Sequence, residues 1–161
     1  MGKRKFALLG MIVIGLALSY GSAMGQELRK AYYPSGQVLD ERFYKDDKLE
    51  GQYKKYYENG QVRTEYLYKN GKLEGPYKLY YKDGQLLTEG FYKDDKLEGF
   101  SRSYHLSGEF GEESFFKNGK KEGLHKILYE NGQPHIEMVY KNGKKISEKI
   151  YDKQGNLISS E

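Results

Sequence analysis

A 24-residue period governs this chain from residue 26 onward. Glu-Gly falls at Glu50-Gly51, Glu74-Gly75, Glu98-Gly99 and Glu122-Gly123, each 24 residues after the last. An aromatic recurs at Tyr44, Tyr68, Tyr92, Phe116 and Tyr140, and a turn glycine at Gly36, Gly60, Gly84, Gly108 and Gly132. Gly155 arrives one residue early, so the last unit is worn. Such self-similarity marks a repeat array, in which each unit contacts only its neighbours and the whole presents an extended binding surface.

Each unit carries two turns. One set is Ser35-Gly36, Asn59-Gly60, Asp83-Gly84, Ser107-Gly108, Asn131-Gly132 and Gln154-Gly155; the other is Asp46-Asp47, Asn70-Gly71, Asp94-Asp95, Asn118-Gly119 and Asn142-Gly143. Asn-Gly and Asp-Gly tolerate positive φ at both central positions and signal two-residue hairpins. Between turns lie 9 to 11 residues rich in Tyr, Phe, Leu and Ile, which is strand length, with no sustained helical period. The expectation is an all-β fold: an elongated, single-layer antiparallel β-meander with two strands per repeat.

Reading Asn59-Gly60 as a two-residue turn makes paired residue numbers sum to 119, so Lys54 faces Glu65. The same rule gives Lys30–Glu41, Lys78–Glu89, Arg102–Glu113 and Lys126–Glu137. A wrong register would scatter these pairs, so their recurrence supports the reading more than their energy does, about 0.2–1 kcal/mol each. The rule also sets Gly51, Gly75, Gly99 and Gly123 opposite Tyr68, Tyr92, Phe116 and Tyr140, where a ring covers strand backbone. One face then holds Leu73, Gly75, Tyr77, Leu79, Tyr81, Leu86, Thr88, Gly90 and Tyr92 and is expected to pack; the other carries Lys78–Glu89 flanked by Tyr80, Leu87 and Phe91.

Residues 1–25 lie outside the period. Lys3, Arg4 and Lys5 precede an apolar run from Phe6 to Leu18, and Ser22-Ala23-Met24-Gly25 ends it with small residues. The run is short of the roughly 20 residues a spanning helix needs, and the pattern reads as a secretory signal peptide cleaved after Gly25. The expected product is an exported protein, periplasmic, cell-surface or secreted, with the repeat array over 26–161. Removing Lys3, Arg4 and Lys5 from the 27 basic residues leaves 24 against 23 acidic ones, a net of +1, so the basic pI gives no argument for nucleic acid. No cysteine is present, which excludes disulfides and thiolate chemistry. A mean hydropathy of −0.88 with 17 tyrosines suits a thin sheet whose large side chains keep a wet hydroxyl. Ile146-Ser147 stands where Glu-Gly belongs, and the end units read as caps.

The chemistry-bearing residues are few. The register sets His125 against Met138, His135 against Leu128 and His105 against Phe110, with no metal spacing. Ser101, Ser103, His105, Glu112 and Ser114 gather in one degenerate unit, but on regular strands without a nucleophile elbow or oxyanion hole. No enzyme activity and no cofactor are expected.

The unit NGKLEGPYKLYYKDGQ, with its Tyr-Lys-Asn-Gly lead-in, resembles the bacterial variant of the MORN repeat (membrane occupation and recognition nexus), over about residues 32–160. The family's usual Trp two residues after Glu-Gly is Tyr53 or Tyr77 here, and Ser101 or His125 in later units. The resemblance implies a β-meander used for protein or lipid contact and, among bacterial relatives, antitoxin partners of toxins. Three function classes follow. The first is an exported scaffold that binds another protein through its Tyr-rich ribbon, with Tyr56, Tyr80 and Tyr104 as the candidate face; an exported toxin would be one such partner. The second is a module for cell-wall glycan. The third, a membrane surface, is disfavoured by the near-zero net charge. Oligomeric state is not fixed by these features, although the open sheet edges permit end-to-end association.

Overall fold

The computed structural model describes residues 25–161. The signal-peptide reading of 1–25 lies, but for Gly25, outside the described residues. The described residues form one antiparallel sheet, with β1 (Glu27–Tyr32), β2 (Val38–Lys45), β3 (Lys48–Tyr56), β4 (Val62–Lys69), β5 (Lys72–Leu73), β6 (Gly75–Tyr80), β7 (Leu86–Lys93), β8 (Lys96–Leu97), β9 (Gly99–Tyr104), β10 (Phe110–Lys117), β11 (Lys120–Lys121), β12 (Gly123–Leu128), β13 (Pro134–Lys141), β14 (Lys144–Tyr151) and β15 (Leu157–Ser160). Strands pair with their sequence neighbours throughout; β5, β8 and β11 are the outer pieces of strands that continue as β6, β9 and β12.

All five basic–Glu pairs and all four glycine–aromatic pairs stand in the expected register. The turn behind that register is different. Gly60 N donates to Tyr57 O and Tyr57 N to Gln61 O, with positive φ at Gly60 but not at Asn59. This is a three-residue loop ending in a left-handed glycine, not a two-residue turn. It pairs Tyr56 with Val62, and a bulge at Arg63 then restores Lys55–Thr64 and the expected sum. The same bulge corrects two histidine positions. Pro134, not His135, pairs with Leu128, and Tyr104, not His105, pairs with Phe110.

The second turn set is as read. Asp46 and Asp47, or Asn70 and Gly71, both have positive φ, the two-residue type I′ geometry. The repeated Glu-Gly belongs to these turns. Across it the pairing shifts by two residues, from Tyr68↔Leu73 to Glu65↔Lys78, which breaks the strand at Glu74. The Glu carboxylate then accepts the first amide of the next unit's turn: Glu50 from Asn70, Glu74 from Asp94, Glu98 from Asn118 and Glu122 from Asn142, at 2.6–2.8 Å. The motif thus ties each unit to the one after it.

Burial is concentrated on the face expected to pack. Tyr77 is 6% exposed, and Asp40, Thr64, Ser114 and His125 are also buried. Tyr53, Tyr66, Tyr77 and Tyr92 form a chain of ring contacts with centroids 5.0–6.1 Å apart, a spacing that favours aromatic pairs. The Tyr77 ring lies over Gly90, where a Cβ would fall 2.6 Å from Cε1.

Candidate functional site

The opposite face is built in rows along the sheet. Its central row is the ion pairs Lys30–Glu41 (2.7 Å), Lys54–Glu65 (3.2 Å), Arg102–Glu113 (2.7 Å) and Lys126–Glu137 (4.0 Å), with Lys78 facing Glu89 between them. These are partly exposed and contribute about 0–1 kcal/mol each.

Tyr56, Tyr80 and Tyr104 form the row toward the three-residue loops. Their hydroxyls donate to Glu41, Glu65 and Glu89 of the preceding unit at 2.8–2.9 Å. Glu41 and Glu65 therefore each join a lysine of their own unit to a tyrosine of the next. Burial, then the Glu hydrogen bond, pushes Tyr56 and Tyr80 up to about 12 and raises Tyr104 as well, so all three remain hydroxyl donors at neutral pH. Burial opposes ionisation of Glu41, but the hydrogen bonds from Lys30 and Tyr56 outweigh it and hold the carboxyl below its usual range. These tyrosines are half-buried and internally bonded, so their role within the fold is to couple units.

On the other flank lies an apolar row. Side chains alternate along a strand, so Leu67, Phe91, Phe100, Leu124 and Val139 share this face with the ion pairs. They are 38–52% exposed. Shallow concavities recur one repeat apart, between Leu67 and Pro76, Phe91 and Phe100, and Phe115 and Leu124. Beyond this row stand the exposed lysines Lys69, Lys93, Lys117 and Lys141 beside the type I′ turns. Sequence reading named Phe91 on this face but missed the row, because it paired strands only around the loops and never across the type I′ turns.

A second set of tyrosines, of which the sequence reading placed only Tyr81, also couples the units. Tyr33, Tyr57 and Tyr81 donate to the carbonyls of Tyr56, Tyr80 and Tyr104, and Tyr129 to that of Tyr151, at 2.7–2.9 Å. His105 takes this place in its unit, its Nε2 lying 3.3 Å from Leu128 O. The signal was present as the doublets Tyr32-Tyr33, Tyr56-Tyr57 and Tyr80-Tyr81.

The polar set in the degenerate unit is only partly assembled. Ser101 Oγ meets Tyr77 Oη at 2.8 Å and Ser103 meets Thr88 at 3.2 Å, while His105 stands apart. The histidine that joins the set is His125, whose Nδ1 lies 2.6 Å from Ser114 Oγ and 3.8 Å from Glu112 Oε1. Both oxygens address the same ring nitrogen, so Glu112 cannot orient the ring from one side while Ser114 gives up its proton on the other. His135 stacks on Tyr129 with centroids 4.2 Å apart. Among the described residues no group of His, Asp and Glu is placed to hold a metal ion.

Burial and the Lys121 cation push His125 below its ordinary 6.5, against an opposing pull from Glu112. The unfolded chain thus binds more protons than the folded one below that value. Stability should fall as pH is lowered from 7.5 through 6.5, and His125→Gln should flatten that part of the profile. Urea midpoints at pH 7.5 and 5.5 measure this; equal pH dependence in the two proteins would show that His125 is not the buried base.

The MORN repeat variant profile matches residues 28–46, 49–70, 73–94 and 121–142, just over half of the chain. The chain belongs to the MORN repeat variant family. Residues 95–120, which hold Ser101, Ser103, His105 and Ser114, fall outside the matched stretches. No curated protein matches this MORN repeat chain. Among solved structures, a complex of accessory secretory proteins 1, 2 and 3 from Streptococcus pneumoniae is similar at 14% identity with a TM-score of 0.38, covering 66% of this chain and 19% of that one.

Proposed function

We propose that this chain is an exported, non-enzymatic scaffold that binds another protein along the face bearing the Lys–Glu pairs. The observation that carries the reading is the exposed apolar row Leu67, Phe91, Phe100, Leu124 and Val139, set between ion pairs on one side and lysines on the other. Apolar anchors with a polar rim are the anatomy of a protein interface. The lysine flank favours a partner with an acidic border. An exported toxin falls within this partner class. The glycan alternative rests on open tyrosine platforms, whereas Tyr56, Tyr80 and Tyr104 have their hydroxyls engaged within the fold. The shared nitrogen of Ser114 and Glu112 supports a structural role for that polar cluster.

The test must spare the coupling tyrosines, since removing them disturbs packing as well as surface. Phe91→Ser with Phe100→Ser removes rings that are 44% and 52% exposed, together with the Phe100–Phe115 ring contact at 5.1 Å. Residues 26–161 carrying both changes should stay folded, with a melting temperature only slightly lowered, and lose a stoichiometric partner retained by wild type. Wild-type retention on isolated cell wall, released by a sugar competitor and unaffected by the double variant, would replace this reading with the glycan one.

A further inference from the structure

The two ends of the sheet are unequal. In β3, β6, β9 and β14 a Glu of the unit before accepts the hydroxyl of the strand's Tyr, as Glu41 does for Tyr56 and Glu65 for Tyr80, and an earlier Tyr donates to the carbonyl of that residue, as Tyr33 does to Tyr56 and Tyr57 to Tyr80; β12 has Leu128 there, its carbonyl met by His105. β1 is such an opening strand. Lys30 and Tyr32 stand where Lys54 and Tyr56 stand one period later. Among the described residues β1 pairs only with β2, and neither the Tyr32 hydroxyl nor its carbonyl has the partner its counterparts have.

The far end is not made to fill this gap. In β15, Ser160 pairs with Lys149 as Glu65 pairs with Lys54, so serine stands where the carboxylate belongs. Asp152 forms the loop hydrogen bonds that Tyr57 forms, and its carboxylate turns back onto Gln154 and Asn156. A second copy arriving head to tail would bring neither the carboxylate nor the hydroxyl.

We propose that the outer edge of β1 is a docking site for a strand from a different protein, added antiparallel, with a carboxylate at the position facing Lys30 that takes the Tyr32 hydroxyl. The interface is continuous with the pairing between repeats, so its register and chemistry are those of β2 on β3 or β4 on β6. It uses the sheet edge and not the apolar row, so it stands or falls independently of the Phe91 and Phe100 experiment.

The probe is a peptide of residues 57–69, which carries a strand of the required kind with Tyr57 and Glu65. It should bind residues 26–161, as read by fluorescence anisotropy. Tyr32→Phe in the protein and Glu65→Ala in the peptide should each weaken binding about tenfold or more. Combined, they should weaken it little further, because both remove the same hydrogen bond. Ile158→Lys, at the opposite edge, should leave binding unchanged. The proposal is overturned by absence of binding at millimolar peptide, by indifference to Tyr32, by additive losses or by loss on Ile158→Lys. Concentration-dependent oligomers of wild-type 26–161 that Tyr32→Phe dissolves would assign the edge to a second copy and overturn it equally.

Discussion

Tyr77→Ala should lower the stability of the sheet by about 3–5 kcal/mol, the range for removing a buried aromatic side chain. Tyr77 is the one buried hydrophobic side chain among the described residues. Its ring lies 6.1 Å from Tyr66 and 5.0 Å from Tyr92, covers Gly90, and its hydroxyl meets Ser101 across the repeat boundary. Removing it strips backbone cover at Gly90 and takes the partner of Ser101 in the same step. Tyr77→Phe isolates the second effect and should cost about 1 kcal/mol. Because each unit contacts only its neighbours, the loss should appear first as local opening around β6, β7 and β9 and then as a lower urea midpoint. Amide exchange and urea denaturation read these separately. A loss under 1 kcal/mol for Tyr77→Ala would mean that the tyrosine-lined face is not what holds the array together.

The sequence made register more legible than turn type, for a physical reason. Register is written redundantly, since each Lys–Glu pair reports it again and a slip of one residue would move every side chain to the other face. Turn type is written in a few residues, and Asn-Gly occurs in both kinds of turn here. Asn70-Gly71 uses positive φ at both residues, whereas Asn59-Gly60 uses it only at the glycine. The informative contrast was Ser35-Gly36 and Gln154-Gly155 in one set against Asp46-Asp47 in the other. The three-residue loop and the Arg63 bulge offset one another, so the pairs came out right, while His135, itself the bulged residue, and His105, which flanks the loop, did not. The Ser114–His125 contact lies between β10 and β12, where Glu113 faces Lys126 as well as Arg102. Extending the pairing rule across the type I′ turn sets Ser114 opposite Gly123; only the two-residue shift at Glu122-Gly123 carries it to His125. Of the face rows, the ion pairs were legible from charge alone. The exposure of Leu67, Phe100 and Leu124 depends on where the Glu-Gly bulges bend the strands, and local pattern does not encode that.

Those bulges make Gly75→Ala the second large effect. Gly75 has φ +124°, and a Cβ there would lie 2.7 Å from Leu67 Cδ2 and 3.2 Å from Leu67 Cβ. Backbone strain contributes about 1–3 kcal/mol, and overpacking against Leu67 a similar amount, so the sum should fall near 2–6 kcal/mol. Gly99 occupies the same place one unit on, at φ +78° with nothing within 4 Å of the added carbon. Gly99→Ala should therefore show the backbone effect alone, about 1–2 kcal/mol. Leu67→Ala removes the Cδ2 contact, so Gly75→Ala should cost less in that background, a coupling of about 1 kcal/mol or more between the two positions. Urea midpoints of the three single variants and the double variant close the cycle. Equal losses for Gly75→Ala and Gly99→Ala, with no coupling to Leu67, would show that the repeated Glu-Gly is kept for its backbone angle alone and that the Leu67 side chain is free to move away, as a residue held only for contact with a partner would be.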